Sequence, residues 1–289
     1  PNKELEIREE ENYFFKFSKY EKPLLKFYEE NPNFVVPDFR FNEIKAFVER
    51  GLQDFSISRL KSKMSWGVPV PNDPDHVMYV WFDALVSYIS TLGWPEDEVN
   101  FKKYWEEGTP VQYCGKDNLR HQSARWQAML MSAGLPLSQN IIIDGFITSD
   151  GQKMSKSIGN VTSPKEIVGE YGTDALRYFI ARELSTFEDS DVSSEKFKNA
   201  YNGNLANGLG NLVIRVLNMA ETYKVSHIGS VVQSEIWDIN NFDIKKYTDD
   251  IWVKIQNADK KIQDTEPYKL IKTNNEMAQG IVSDLCTEL

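Results

Sequence analysis

Three short apolar runs, "HVMYVWF" (76–82), "VQYC" (111–114) and "NIIIDGFI" (140–147), are separated by stretches whose apolar residues recur at helical spacing, such as "NLRHQSARWQAMLMSAG" (118–134). Strand alternating with helix predicts a parallel sheet, because parallel strands need a crossover connection, usually a helix. Ligands bind such sheets at the carboxyl ends of the strands. The last run delivers "GQKMSKSIGN" (151–160), which has no helical or strand period and is flanked by glycines. Glycine permits close approach of the backbone to a ligand. Lys153 and Lys156 would then be point charges on flexible stems, suited to phosphate oxygens whose charge moves during a reaction. Taken alone, the same loop reads first as a solvated basic loop, since charged loops are mostly just solvated.

The rest of the chain differs in texture. Residues 1–60 are rich in charged and aromatic residues, and Ile44, Phe47, Val48 and Leu52 recur at helical spacing, so this stretch reads as a connector built of helices. After Pro164, "KEIVGEYGTDALRYFIAREL" (165–184) is helical, with Thr173 or Asp174 expected as N-cap. From about residue 194 nearly everything reads as helix: "NLVIRVLNMAETYK" (211–224) and "DDIWVKIQNADKKIQ" (249–263) carry amphipathic stripes, and Pro267 is placed to open another helix. Asn207, Asn211 and Arg215 fall at i, i+4 and i+8, on one helical face. Such amides and guanidinium groups suit base edges and phosphates of unstacked RNA, although amides on a helix are usually plain polar surface.

Composition narrows the field. A chain of 289 residues with 41% hydrophobic content has enough apolar material for a sizeable core and two domains. No apolar run approaches the roughly 20 residues needed to span a bilayer, and the first residues carry no leader pattern, so a cytoplasmic protein without membrane contact is expected. The two cysteines, Cys114 and Cys286, are far apart and have no Cys-x-x-Cys partner, which predicts neither a disulfide framework nor a zinc site. A net charge of −10 argues against a general nucleic-acid coat but not against a local basic site.

The pentapeptide "KMSKS" (153–157), with "GLQDFSISR" (51–59), "YVWFDALVSYI" (79–89), "GKDNLRHQSARWQAMLMSAGLP" (115–136), "DGFITSDGQKMSKSIGNVTSP" (144–164) and "YGTDALRYFIAREL" (171–184), resembles the methionyl-tRNA synthetases, a family of class I aminoacyl-tRNA synthetases. The resemblance covers essentially the whole chain. It implies a partial Rossmann-type α/β nucleotide-binding domain, its second half, followed by an all-α anticodon-binding helix bundle. The implied boundaries are a linker and the end of an insertion at 1–60, the half-domain at 61–170, a stem-contact junction at 171–195 and a truncated anticodon domain at 196–289.

The implied activity is methionine–tRNA ligation: ATP with Mg2+ activates methionine as the adenylate, which is passed to tRNA(Met). By the resemblance Lys156 and Lys153 act catalytically on the phosphates, and Gly115, Asp117, Ile147 and Ser155 join them around ATP. Methionine is unbranched, apolar and polarizable, so its pocket should be aromatic and snug. Trp81, Ala84, Leu85 and Tyr88 at i, i+3, i+4 and i+7, facing Asn118, Gln122 and Trp126 at i, i+4 and i+8, would build such a box. Without the resemblance these stripes read as ordinary core before they read as a pocket. The family often has histidine where this chain has Gln122, and the neighbouring His121 is expected to point elsewhere. Asn211 and Arg215 match the anticodon-reading helix, and Tyr268 stands where the family usually has tryptophan.

Two departures bear on activity. The family's His-Ile-Gly-His signature is missing; "HIGS" (227–230) lies in the helical tail and reads as coincidence. The zinc-bearing cysteines are missing too. The chain is therefore expected to lack the first sheet half, to stop within the anticodon bundle, to be inactive alone and to take a separate N-terminal half as partner. The rivals are a class I synthetase for isoleucine, valine, leucine or cysteine, and a non-catalytic tRNA-binding module.

Overall fold

The computed structural model describes residues 9–149, 151–154, 163–225 and 242–289. The chain forms two compact units that divide between Asp144 and Gly145.

The first unit runs through β1 (Phe14–Phe15), α1 (Glu21–Glu30), β2 (Val35–Val36), α2 (Asp38–Glu49), β3 (Phe55–Ser56) and β4 (Ser58–Leu60). It continues with β5 (Pro69–Val70), β6 (Asp73–Met78), α3 (Val80–Ser90), α4 (Glu98–Phe101), β7 (Val111–Gly115), α5 (Trp126–Ala133) and β8 (Asn140–Asp144). The parallel sheet is present, in the order β2-β8-β7, with Val35 opposite Ile141 and Val111 to Gly115 opposite Asn140 to Asp144. Its outer strand β2 comes from the stretch read as a connector. That stretch also fills the core: Leu24, Tyr28, Phe34, Val35, Ile44 and Val48 are each at most 1% exposed and cluster with Leu119, Ile141 and Ile143. Each such burial is worth roughly 1.5–3 kcal/mol. The charge of residues 1–60 masked this role, because charged side chains are interspersed among the buried Phe17, Tyr28 and Phe34.

The run "HVMYVWF" does not join the parallel sheet. It splits at Tyr79: β6 pairs antiparallel with β4 and β5, and α3 starts at Val80. Asn72, at φ 62° between β5 and β6, supplies the left-handed residue of a tight turn, and a turn that short can join only antiparallel strands. Helix α5 is preceded by a π-helical turn at His121–Arg125 and ends at Gly134, whose φ of 68° is the usual left-handed helix stop. Two carbonyls of this wide turn accept from side chains. Tyr28 Oη donates to Ser123 O at 2.8 Å, and Gln127 Nε2 donates to Gln122 O at 2.9 Å.

The second unit contains β9 (Ile147–Ser149), β10 (Gln152–Lys153), α6 (Pro164–Tyr171), α7 (Thr173–Glu183), β11 (Ser190–Asp191) and α8 (Ser194–Ala200). A π-helical stretch at Tyr201–Gly210 runs directly into α9 (Asn211–Thr222), and α10 (Ile244–Thr265), α11 (Pro267–Leu270) and α12 (Asn275–Glu288) follow. The run "NIIIDGFI" is thus two strands in two units. β9 pairs with β10 and β11, in the order β10-β9-β11. Helix α7 begins at Thr173 after Gly172, at φ 86°, with no side-chain cap bond, so neither Thr173 nor Asp174 is the N-cap. Pro267 opens α11 as expected. The helical core joins Leu212, Val216 and Met219 of α9 to Ala258 and Ile262 of α10 and to Val282 and Leu285 of α12.

Candidate functional site

In the first unit, α3 and the π-helical turn bring most of the expected amino-acid pocket together. Trp81 is 37% exposed and stacks on His121, with centroids 4.5 Å apart and planes 21° apart. His121 therefore lies against Trp81 of α3 rather than pointing elsewhere. The helical reading assumed a regular α period, whereas the π turn rotates this side chain toward α3. Burial and the neighbouring Arg125 hold the His121 imidazole below its ordinary pKa, and Arg125 Nη1 donates to its Nδ1 at 3.3 Å.

Ala84 and Tyr88 share the open face of α3 with Trp81, but Leu85 and Trp126 are buried. They sit in a core cluster with Ile89, Phe101, Trp105 and Met129, so half of the core alternative holds for them. Trp126 stands behind Tyr88, with ring centroids 6.0 Å apart. A second face of α3, with Phe82, Val86 and Ile89, lines an apolar cleft of about 220 Å³ that also reaches Trp126.

The polar contact at Gln122 comes from a buried relay that the stripes gave no sign of. Gln122 Nε2 donates to Tyr88 Oη at 2.9 Å, and its Oε1 accepts from Gln112 Nε2 at 3.3 Å. Gln112 Oε1 accepts from Ser138 Oγ at 2.6 Å, and Gln127 closes the set by donating to Ser138 Oγ and accepting from Ser138 N, both at 3.1 Å. Gln112, Gln122, Gln127 and Ser138 are all buried. The one available signal was the isolated glutamine inside the apolar run "VQYC". Asn118 contributes no wall to this relay; its amide donates to Asp117 Oδ1 at 3.3 Å.

At the carboxyl ends of the parallel strands, Gly115 lies opposite Asp144, and Asp117 is exposed in the 3-10 turn Lys116–Asn118. Burial pushes the Asp144 carboxyl up to about 6, and burial, with the charges of Asp144 and Asp117, pushes the Cys114 thiol up to about 12. An unfolded aspartate titrates at about 3.9. The folded chain thus keeps a proton on Asp144 where the unfolded chain has lost it, and this group lowers stability as pH rises from about 4 to about 6. Asp144→Asn is expected to flatten that part of the stability profile and to raise stability at pH 7. Urea midpoints measured across pH 4 to 7 check this; curves that stay parallel would remove Asp144 as the cause.

The second unit holds Ile147 in β9 and Lys153 in β10, whereas Gly115 and Asp117 belong to the first unit. Ser155 and Lys156 lie outside the described residues. The start of the lysine loop is a hairpin with Gly151 at φ 71°. Asp191, which sequence reasoning missed, holds it: its Oδ1 accepts from Gly151 N at 2.7 Å and Thr148 Oγ1 at 3.0 Å, and its Oδ2 accepts from Lys196 Nζ at 2.9 Å. These bonds, the Gly151 amide foremost, lower its carboxyl to about 2.

The expected RNA face is also concave. Asn207, Asn211 and Arg215 line one cleft of about 920 Å³ with Asn204, Asn218 and Gln256. Tyr268 is 48% exposed and is not among the residues lining it.

The family profile described as "tRNA synthetases class I (M)" matches residues 2–217. The chain belongs to that family. This synthetase chain is 44% identical over 259 residues to the methionine–tRNA ligase of Nostoc sp. strain PCC 7120, covering 89% of itself and 48% of that protein. With the Thermotoga maritima methionine–tRNA ligase it shares 40% identity over 291 residues, covering 95% of itself and 46% of the relative. The structure of Mycobacterium tuberculosis methionyl-tRNA synthetase in complex with methionyl-adenylate matches with a TM-score of 0.84 at 35% identity, over 96% of this chain and 57% of that one. The synthetase chain thus spans about half the length of the curated relatives it matches. Its fold is a Rossmann-like α/β part followed by helices, as expected. Among the described residues no helix is long and apolar enough to cross a membrane.

Proposed function

We propose that this chain carries the methionine pocket, the lysine loop and the anticodon-reading helix of a cytoplasmic methionine–tRNA ligase: the methionine carboxylate attacks the α-phosphate of ATP, releasing pyrophosphate, and the adenylate then passes methionine to tRNA(Met), releasing AMP. The observation that carries this is the Trp81–His121 stack beside Tyr88, held by Gln122: a flat aromatic wall with one fixed hydroxyl suits an unbranched thioether side chain. The relatives named as methionine–tRNA ligases and the neighbour bound to methionyl-adenylate support the same reading. Trp81, Ala84, Leu85, Tyr88, Asn118, Gln122 and Trp126 are proposed for methionine, the last two from behind the wall. Gly115, Asp117, Ile147, Lys153, Ser155 and Lys156 are proposed for ATP. Asn211, Arg215 and Tyr268 are proposed for the anticodon.

Magnesium is proposed to arrive with the ATP phosphates. Catalysis in such a site is positioning and charge stabilisation. If Lys156 steadies the departing pyrophosphate, Lys156→Ala is expected to slow methionine-dependent pyrophosphate exchange about 100-fold, the usual effect of losing one preorganised electrostatic group. The assay is run on the chain alone and with a segment supplying the remaining length of its relatives. Exchange driven by another amino acid, or an undiminished rate in the variant, would overturn the assignment.

A further inference from the structure

The cleft in the helical unit contains an ion pair that neither its walls nor its proposed ligand requires. Arg215 of α9 projects into the cleft, and its Nη2 donates to Asp259 Oδ1 of α10. The second carboxylate oxygen is also engaged: Gln263 Nε2, one turn further along α10, donates to Asp259 Oδ2 at 2.7 Å. The side chains of Arg215 and Asp259 are 45% and 39% exposed. At that exposure an ion pair adds little to stability, in the range of about 0–1 kcal/mol. What it does provide is orientation. A long arginine stem in open water samples many rotamers, whereas a carboxylate fixed on both oxygens holds the guanidinium plane in one attitude.

That attitude is set among amides. Asn211 stands one turn before Arg215, Asn218 stands three residues after it, and Gln256 lies one turn before Asp259 on the facing helix. Arg215 carries five N–H donors in a rigid fork, so one bond to Asp259 still presents the others to a ligand at a fixed angle. A fixed fork discriminates between acceptor patterns on base edges; a mobile one supplies only charge.

We propose that Asp259 is a positioning residue for base recognition: held by Gln263, it fixes the Arg215 guanidinium so that the cleft tells one unstacked RNA loop from another. This rests on the reading of Arg215 as an anticodon contact. Asp259 itself carries the wrong sign to bind RNA, so deleting its charge separates positioning from attraction.

The test titrates the chain with fluorescent hairpin RNAs, one with the methionine anticodon in its loop and one with the loop bases altered. Asp259→Asn is expected to reduce the affinity ratio between the two hairpins about tenfold, within the range of coupling between contacting groups. Binding of the altered hairpin should not weaken. Asp259→Glu is expected to retain most of the ratio, and Asp259→Asn made in an Arg215→Ala background is expected to change it no further. Thermal melting of each variant, unchanged from the parent, excludes a folding defect.

If Asp259→Asn shifts both hairpins equally, or acts identically with and without Arg215, the residue contributes bulk charge only and the proposal is overturned. If Arg215→Ala leaves both hairpins unaffected, the anticodon reading fails first, which is a different result from an active Arg215 that ignores Asp259.

Discussion

Trp126→Ala is expected to destabilise the first unit by about 4 kcal/mol, the scale of removing a fully buried tryptophan. Trp126 is 1% exposed, meets Trp105 edge to face at 6.1 Å and supports Tyr88. The cavity left behind would border the buried Leu85, Met129 and Leu130 and enlarge the apolar cleft beside Phe82 and Val86. Trp126 Nε1 is buried without a hydrogen-bond partner among the described residues, so the side chain contributes through packing. Trp126→Phe, which keeps a ring and removes the orphan donor, should cost much less than the alanine. Denaturant midpoints of the two variants give the comparison. Parent-like stability in Trp126→Ala, with methionine binding lost, would return Trp126 to the ligand wall and out of the core.

The second large effect is expected at Gly145→Ala. A Cβ built there would lie 2.0 Å from Glu188 O and 2.7 Å from Asp189 N, both backbone atoms that cannot turn aside. The contact is close because the two segments are bonded along their length: Gly145 N donates to Thr186 O at 3.2 Å, Phe146 N to Asp189 Oδ1 at 3.0 Å, and Ser190 N to Phe146 O at 2.9 Å. Forcing a methyl between them should cost about 3 kcal/mol, the upper part of the usual range for overpacking. It should also part β9 from β11 and so loosen the hairpin that leads into the lysine loop. Hydrogen exchange of the Ser190 and Val192 amides reports that parting directly. Unchanged protection in Gly145→Ala would show that the segments move apart without cost.

The parallel sheet was legible because the triple isoleucine of "NIIIDGFI" admits hardly any other environment than a strand covered on both faces. Its outer strand was not, since Val35 and Val36 make only a two-residue run, too short for any period to register. Gly145 offered the hint that "NIIIDGFI" ends one sheet and begins another, but a glycine in a strand pattern reads equally as a bulge. Regular helical spacing placed Trp81 and Tyr88 on one helix, and α3 obeys it. His121 was misplaced because a π turn leaves no mark in the hydrophobic pattern. Gln112 and Ser138 escaped because a hydrogen-bond relay joins residues distant in sequence that share no period. Arg215 and Asn211 emerged from spacing, whereas Asp259, on the other helix of the cleft, could be paired with Arg215 only once the helices were packed.

The relay behind Tyr88 is made of three amides and a serine hydroxyl, none of which gains or loses a proton between mildly acidic and mildly alkaline solution. A histidine at position 122 would titrate near neutrality and would exchange donor for acceptor as it did so. With glutamine there, the Tyr88 hydroxyl keeps an uncharged amide partner through such changes. The relay itself therefore adds no pH dependence around neutrality, unlike His121 one position away, whose imidazole titrates below its ordinary range.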